Sequence, residues 1–134
     1  MNARKKPSDV WTIGATESVL AAARELDRRG VGCLVVVDGK GRAKGLVTDR
    51  DLALRVVAAG RDPKRTKVSA VMSTPLVAAR AGDSSEAILA RMEAHGVRRV
   101  PVLERDRVTK IVTLDEILIE LGEEISDLGF SVRR

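Results

Sequence analysis

An internal repeat constrains the fold of this chain more than any other feature. Residues 30–37, GVGCLVVV, return as residues 96–103, GVRRVPVL, and residues 45–52, GLVTDRDL, return as residues 110–117, KIVTLDEI. The offset falls from 66 to 65 positions between the two matches. This places the lost residue in a turn, where changes of length are tolerated. One copy of roughly fifty residues buries too little apolar surface to be stable alone, so we expect the two copies to pack against each other.

Each copy has the pattern strand, helix, strand, strand, helix (β-α-β-β-α), which predicts an α/β (α+β) fold. Residues 19–26 carry apolar side chains at i, i+3, i+4 and i+7, the spacing of an amphipathic helix, and the second copy keeps three of the four. The continuous apolar run Leu34 to Val37 is typical of a strand covered on both faces. Residues 38–41, DGKG, signal a turn. Pro101 lies early in the equivalent second strand, so an edge strand or a bulge is expected there.

The same patterns predict the domain organisation. We expect a tail at residues 1–9, a first repeat at 10–60, a linker at 61–70, a second repeat with an extended C-terminal helix at 71–128, and a tail at 129–134.

Composition narrows the possible partners. Only 1% of the residues are aromatic, which argues against binding of single-stranded nucleic acid, since such proteins stack bases on aromatic rings. Residues 1–70 carry 15 basic and 8 acidic side chains, and residues 71–134 carry 9 and 11. The basic first half is compatible with an anionic ligand or partner, and also with an uneven distribution of charge over a soluble surface.

The sequence offers little for catalysis. Cys33 and His95 are the single cysteine and the single histidine, so no intramolecular disulfide, zinc cluster or recognisable nucleophile site can be assembled. No apolar stretch approaches the ~20 residues that span a bilayer, and the basic triplet Arg4-Lys5-Lys6 is not followed by the apolar segment of a signal peptide. We therefore expect a cytoplasmic protein that is not an enzyme and holds no metal or cofactor.

Two short motifs allow a structural and a functional interpretation. Thr48-x-x-Asp51 and its counterpart Thr113-x-x-Glu116 each follow a strand and open a helix. The spacing is that of a capping box, and a carboxylate at such a junction can also accept hydrogen bonds from a ribose diol. The pair Arg98-Arg99 precedes a buried strand, where two guanidinium groups could clamp a phosphate or simply face solvent.

The last predicted helix carries a narrow apolar stripe. Its members follow 3-4-3 spacing: Leu118, Leu121, Ile125 and Leu128. Such a stripe can pack against the same molecule or pair with a second copy. We expect a homodimer.

The doubled pattern resembles the CBS domain, a family named after cystathionine β-synthase. The resemblance rests on residues 45–52, on residues 95–102 (HGVRRVPV) and on residues 71–75 (VMSTP), and it extends over residues 10–122. It implies two tandem CBS repeats packed around a pseudo-two-fold axis, of the kind found as stand-alone CBS-pair proteins in bacteria and archaea.

The resemblance also implies a function. Clefts between CBS repeats bind adenosine-containing ligands, AMP, ADP or ATP and also S-adenosylmethionine or NAD. It implies ribose contacts from Thr48 and Asp51 in one repeat and from Thr113 and Glu116 in the other, and phosphate contacts from Arg99. The remaining side chains expected at the ligand are Arg50, Arg98 and Pro101. Because Lys110 and Glu116 depart from the pattern of the first repeat, we expect one ligand to bind better than any second.

We therefore expect a non-catalytic module that senses an adenine nucleotide and regulates an unidentified protein. The alternative is a dimeric scaffold with empty clefts, and nucleic-acid binding ranks third because the basic residues are scattered over loops.

Overall fold

The computed structural model describes residues 10–127 and confirms the predicted α/β class. Both repeats follow the order strand, helix, strand, strand, helix, and a short helix lies between them. The elements in chain order are β1 (Thr12–Gly14), α1 (Val19–Arg29), β2 (Cys33–Val37), β3 (Ala43–Thr48), α2 (Asp49–Leu52) with a π-helical continuation (Ala53–Val57), α3 (Val68–Val71), β4 (Ala79–Arg80), α4 (Ser85–His95), β5 (Arg99–Glu104), β6 (Arg107–Thr113) and α5 (Leu114–Asp127).

The strands form two three-stranded sheets of identical design. The first has the order β1-β2-β3 and the second the order β4-β5-β6, with a parallel outer pair and an antiparallel hairpin in each. Val35 pairs with Leu46 in the first sheet, and Pro101 pairs with Ile111 in the second. These pairs are related by the sequence offsets of 66 and 65, so the repeat read from the sequence is also a repeat of strand register.

The long helix of each repeat begins and ends in the same way. Ser18 accepts a hydrogen bond from the backbone N–H of Ala21 at the start of α1, and Gly30 ends the helix with a left-handed φ of 66°. Ser84 and Gly96 have the same roles in α4, where the φ of the glycine is 65°. A side-chain cap and a left-handed C-terminal residue satisfy backbone groups that the helix itself leaves unpaired.

The aliphatic core lies between these helices and the sheets. Leu34, Val35 and Val36 of β2 are fully buried, which confirms the prediction of a strand covered on both faces. Val19, Ala22 and Leu26 form the buried face of α1, and Ile88 and Met92 form that of α4.

Pro101 was expected to lie in an edge strand or at a bulge, and the structure agrees with only part of this expectation. It lies in β5, which is the central strand of its sheet, so the expectation of an edge strand is wrong. Pairing of β5 with β4 begins only at Val102, and the hairpin register shifts between Val102 and Leu103, as expected for a bulge. The proline therefore occupies a position where no ladder donor is required.

The connecting helix α3 packs against the first repeat. Val68 and Val71 are fully buried in the core cluster that also contains Val19 and Val47. Ser73 continues the segment and exchanges backbone hydrogen bonds with Leu46 on the outer edge of β3, at 2.7 and 3.3 Å. The segment that opens the second repeat thus completes the first one.

The two hairpin turns join the repeats at one end. The backbone N–H of Ala43 donates to the carbonyl of Asp106 at 3.0 Å. The Arg107 guanidinium donates to the carbonyls of Lys40 and Gly41, at 2.8 and 3.4 Å.

Helix α5 divides the predicted apolar stripe between two environments. Leu121 packs against the second core beside the fully buried Ile117, which the stripe omitted. Leu118 and Ile125 are 53% and 54% exposed, and Leu128 lies outside the described residues. Leu121 therefore belongs to the core of the second repeat, whereas Leu118 and Ile125 lie on the surface.

Candidate functional site

Both Thr-x-x-acid motifs form capping boxes. The backbone N–H of Asp51 donates to Thr48 Oγ1 and the N–H of Thr48 donates to Asp51 Oδ2, each at 3.0 Å. The second repeat reproduces the exchange between Thr113 and Glu116, at 3.2 and 2.9 Å. The structural interpretation of the motif is confirmed in both copies.

Asp51 makes further contacts beyond its cap. It is 8% exposed, and Ser73 Oγ lies 3.3 Å from both of its carboxylate oxygens. The Arg55 Nε lies 3.8 Å from Oδ1 and forms an ion pair. The Asp51 carboxylate thus links α2 of the first repeat to Ser73, in the segment that opens the second repeat.

A cavity of about 270 Å³ lies between the repeats. The first repeat lines it with Trp11 and with the β2 approach at residues 30–33, and the second repeat with Arg99, Ile111 and Thr113. Two of the predicted ligand residues, Arg99 and Thr113, are therefore brought together from strands β5 and β6.

Gly32 allows the Arg99 side chain to lie across this cleft. A Cβ added at Gly32 would come within 2.9 Å of Arg99 Nη2 and 3.3 Å of Asp49 Oδ2. Despite this proximity, no carboxylate within residues 10–127 lies close enough to form an ion pair with Arg99. A half-buried guanidinium without an acidic partner is suited to bind an anion.

A second cavity of about 210 Å³ adjoins the first. Arg99 and Thr113 line both, and Arg98 and Asp115 line only the smaller one. Arg98 and Arg50 are exposed, whereas Pro101 is fully buried and lines neither of these two cavities.

Thr48 and Asp51 do not line the cavity that contains Arg99. Glu116 lines a separate groove on the second repeat. The side chains predicted to bind the ligand therefore do not share one cavity. Arg99 and Thr113 line the cleft between the repeats, and Glu116 lines the groove on the second repeat.

Trp11 and Gly32 are cleft residues that the sequence analysis did not identify. The guanidinium of Arg29 stacks over the Trp11 ring, 4.1 Å from its centroid, in a cation–π contact that holds the ring at the cavity wall. The available signals were the position of the single tryptophan directly before β1 and the Gly32 that answers Arg98 at the repeat offset.

Neither a metal site nor a membrane span is found in the described part of the chain. Residues 10–127 contain no group of three His, Cys, Asp or Glu side chains arranged to hold a metal ion. Within the same range no helix combines the length and the apolar character that crossing a bilayer requires.

Comparisons with known proteins agree with this geometry. The model of the CBS domain matches residues 6–58 and again residues 68–123. The CBS domain-containing protein YhcV of Bacillus subtilis is 37% identical over 112 residues, which cover 84% of this chain and 79% of YhcV. Hypoxic response protein 1 of Mycobacterium tuberculosis is 33% identical over 114 residues, covering 85% of this chain and 80% of that protein.

Two solved structures show the same fold. A crystal structure of Hypoxic Response Protein I with two coordinated zinc ions has a TM-score of 0.75 at 33% identity, covering 82% of this chain and 89% of that one. A hexameric CBS-CP12 protein from bloom-forming cyanobacteria has a TM-score of 0.75 at 25% identity, covering 95% and 71%.

CBS-pair proteins are generally non-catalytic regulatory modules, and they can form oligomers. Two family matches in tandem span nearly all of the described residues, and the two sheets repeat one design. The chain belongs to the CBS domain family and carries two CBS domains in tandem.

Proposed function

We propose that this protein is a non-catalytic, cytoplasmic regulatory module that binds an adenosine-containing ligand of the AMP, ADP or ATP class between its two CBS domains. The observation that carries the proposal is the Arg99 guanidinium, which lines the inter-repeat cavity and forms no ion pair with a carboxylate of residues 10–127. A half-buried guanidinium that forms no ion pair among residues 10–127 has hydrogen-bond donors to offer a ligand phosphate.

The cleft also offers the other contacts that a nucleotide requires. Trp11 presents an aromatic surface for the base, and the Thr113 hydroxyl is available to a ribose hydroxyl, since the capping hydrogen bond uses only part of its capacity. Thr48 and Asp51 offer the equivalent groups on the first repeat. They do not line the cavity around Arg99. As the alternative to Thr113, we propose them as the ribose contacts of a ligand that extends from α2 to that cavity and places its phosphate at Arg99.

Ligand binding is tested by thermal melting in the presence of AMP, ADP, ATP, NAD and S-adenosylmethionine. A ligand that binds only the folded protein raises the melting temperature with concentration. Trp11 is the single tryptophan and lines the cavity, so binding there also changes its fluorescence. No stabilisation and no fluorescence change with any of the five compounds would refute the proposal.

The role of Arg99 is tested by comparing two ligands and two variants. Arg99→Ala removes a charge-assisted hydrogen bond, worth ~1.5–3 kcal/mol, and weakens AMP by roughly ten-fold or more. Adenosine lacks the phosphate and keeps its affinity. Arg24→Ala removes an equal charge from the exposed face of α1 and serves as the control. Equal weakening of AMP and adenosine by Arg99→Ala would remove the phosphate contact from the proposal.

A dimeric scaffold is the second candidate function, and one observation favours it. Large apolar side chains are exposed on the last helix of each repeat: Leu54 and Val57 in the first, and Leu118, Ile119 and Ile125 in the second. Leu54 and Ile119 occupy equivalent positions at the repeat offset of 65. Such clusters are typical of interfaces, so we propose a homodimer formed through them. In light scattering, Leu118→Lys together with Ile125→Lys gives a folded monomer. A wild-type monomer at micromolar concentration would contradict the proposed dimer.

A further inference from the structure

The two hairpin turns form a basic surface at one end of the molecule. A depression of about 790 Å³ opens there on the second repeat. Arg80, Arg105 and Arg107 line it, and Glu104 is the one acidic side chain among its described lining residues. The turn of the first repeat lies beside it, because the two turns are hydrogen-bonded to each other. We call residues 38–44, 80–81 and 103–109 together the hairpin end.

Charge is segregated between the hairpin end and the last helix. The hairpin end carries six basic and three acidic side chains, whereas α5 carries six acidic side chains and no basic one. Residues 71–134 as a whole are slightly acidic, so the basic surface is not a general property of this half of the chain. Turns that are far apart in the sequence contribute the cations, and the fold brings them together. An anionic partner is therefore attracted to this end of the molecule.

The three arginines of the depression form no ion pair among residues 10–127. Asp38 pairs with two other cations of the hairpin end, and its Oδ2 lies 3.0 Å from Arg42 Nε and 3.8 Å from Lys44 Nζ. A guanidinium group has five N–H donors, and its planar fork suits the two oxygens of a carboxylate. The arginines of the depression therefore have donors to offer the carboxylates of a partner.

Backbone geometry holds two of these arginines in position. The Arg107 guanidinium lies against Gly41, where an added Cβ would overlap Nη1, and it donates to the carbonyls of Lys40 and Gly41. Arg105 has a left-handed φ of 54°, and Asp106 follows with a φ of 68°. This conformation is unfavourable for residues other than glycine, and such strained positions cluster at functional sites. The strain at Arg105 therefore points to a role for its side chain beyond the turn itself.

Two apolar residues also line the depression. Ala81 and the half-buried Leu103 lie among the arginines. Apolar contacts combined with arginine are typical of protein–protein interfaces. The backbone of a nucleic acid has no apolar side chain to cover Leu103, and the described lining contains no aromatic ring on which a base could stack. The depression is thus better matched to a polypeptide than to a nucleic acid.

We propose that the hairpin end docks an acidic segment of a partner protein, in which an apolar side chain is flanked by Asp or Glu residues. The apolar side chain packs on Leu103, and the carboxylates bind Arg80, Arg105 and Arg107. This surface is separate from the nucleotide cleft, because Arg99 does not line the depression.

Peptide binding tests the proposal in the full-length chain. The probe is the fluorescein-labelled peptide EELEELEE, measured by fluorescence anisotropy at low salt, and QQLQQLQQ is its uncharged counterpart. Arg80→Ala together with Arg105→Ala is expected to weaken the acidic peptide by roughly five-fold or more. Arg24→Ala together with Arg61→Ala is the matched control, because it removes the same charge from exposed positions outside the depression and changes the affinity much less.

Arg105→Gly separates docking from folding. Glycine adopts the left-handed turn freely, so we expect the melting temperature not to fall while the acidic peptide binds more weakly. A lower melting temperature with unchanged peptide binding would show that Arg105 serves the fold alone, and would overturn the proposal.

The comparison of probes decides the remaining outcomes. Equal binding of the acidic and the uncharged peptide, or equal losses in the two double variants, would overturn the proposal. A labelled DNA duplex of about 20 base pairs that binds more tightly than the acidic peptide, and through the same arginines, would assign the surface to nucleic acid instead. Arg99→Ala is expected to leave peptide binding unchanged, so failure of the nucleotide site and failure of the docking surface are distinguishable.

Discussion

Asp51→Asn separates the structural and the ligand-binding roles of the first capping box. The substitution keeps the shape and an acceptor for the Thr48 N–H but removes the negative charge. Replacing charge-assisted by neutral hydrogen bonds from Thr48 and Ser73 costs about 1 kcal/mol. Loss of the ion pair with Arg55, whose side chain is half exposed, adds roughly 0.2–1 kcal/mol.

The expected destabilisation is therefore about 1–2 kcal/mol, or a fall of roughly 4–8 °C in melting temperature. Glu116→Gln is the matched control, because Glu116 makes the same capping exchange without an equivalent of the Ser73 and Arg55 contacts within residues 10–127. Its expected loss is below ~1 kcal/mol. Equal losses in the two variants, measured by urea unfolding, would show that the tertiary contacts of Asp51 contribute nothing.

Calorimetry with AMP tests the second role of Asp51. If the carboxylate binds the ribose, Asp51→Asn weakens AMP by roughly ten-fold or more, beyond its effect on stability. If Asp51 serves only as a cap, the melting temperature falls and the affinity for AMP is unchanged. That result would remove Asp51 from the proposed site.

Three further perturbations follow from the structure. Gly45→Ala places a Cβ 2.7 Å from the Ser73 carbonyl, so we expect a destabilisation of about 1–3 kcal/mol in urea unfolding. Gly32→Ala displaces the Arg99 guanidinium, and we expect it to weaken AMP more than adenosine in calorimetry. The backbone N–H of Arg42 is the main cause that lowers the pKa of Asp38 to about 2. Because the folded pKa lies below the unfolded value, the stability due to Asp38 is complete above pH ~4 and is lost as the pH falls through about 2. Acid unfolding of Asp38→Asn, compared with the wild type, reveals a missing contribution in that window. An Asp38 pKa near 4 in a carboxyl NMR titration would contradict this assignment.

The elements of each repeat could be predicted because their signals are local. The cap of Ser18, the stop at Gly30 and the apolar run of β2 all depend on neighbours within a few residues. Because the sequence repeats at offsets of 66 and 65, each helix and strand predicted in the first copy could also be predicted in the second. Even the capping boxes follow from a spacing of three residues.

Contacts between the repeats could not be predicted in the same way. Arg107 reaches carbonyls 66 and 67 positions away, and nothing in its local sequence distinguishes it from Arg105. Likewise, the periodicity of α5 does not reveal that Ile117 is buried and Leu118 is exposed, because the neighbouring α4 determines which face is covered. Which residues meet, and which helix face is covered, depends on how the elements pack in space. The sequence pattern gives only the separation of residues along the chain.

Helix α3 belongs by sequence to the start of the second repeat but packs in the core of the first, and this limits where the chain can be cut into stable parts. A cut in the polar stretch before Val68 would release a first repeat whose hydrophobic interior is left open where Val68 and Val71 had been. Such a fragment could close its interior only by borrowing the opening segment of another molecule. The smallest part of this architecture that can fold independently is therefore the pair of repeats. A half-length gene product would have to exchange segments with a partner, as domain-swapped dimers do.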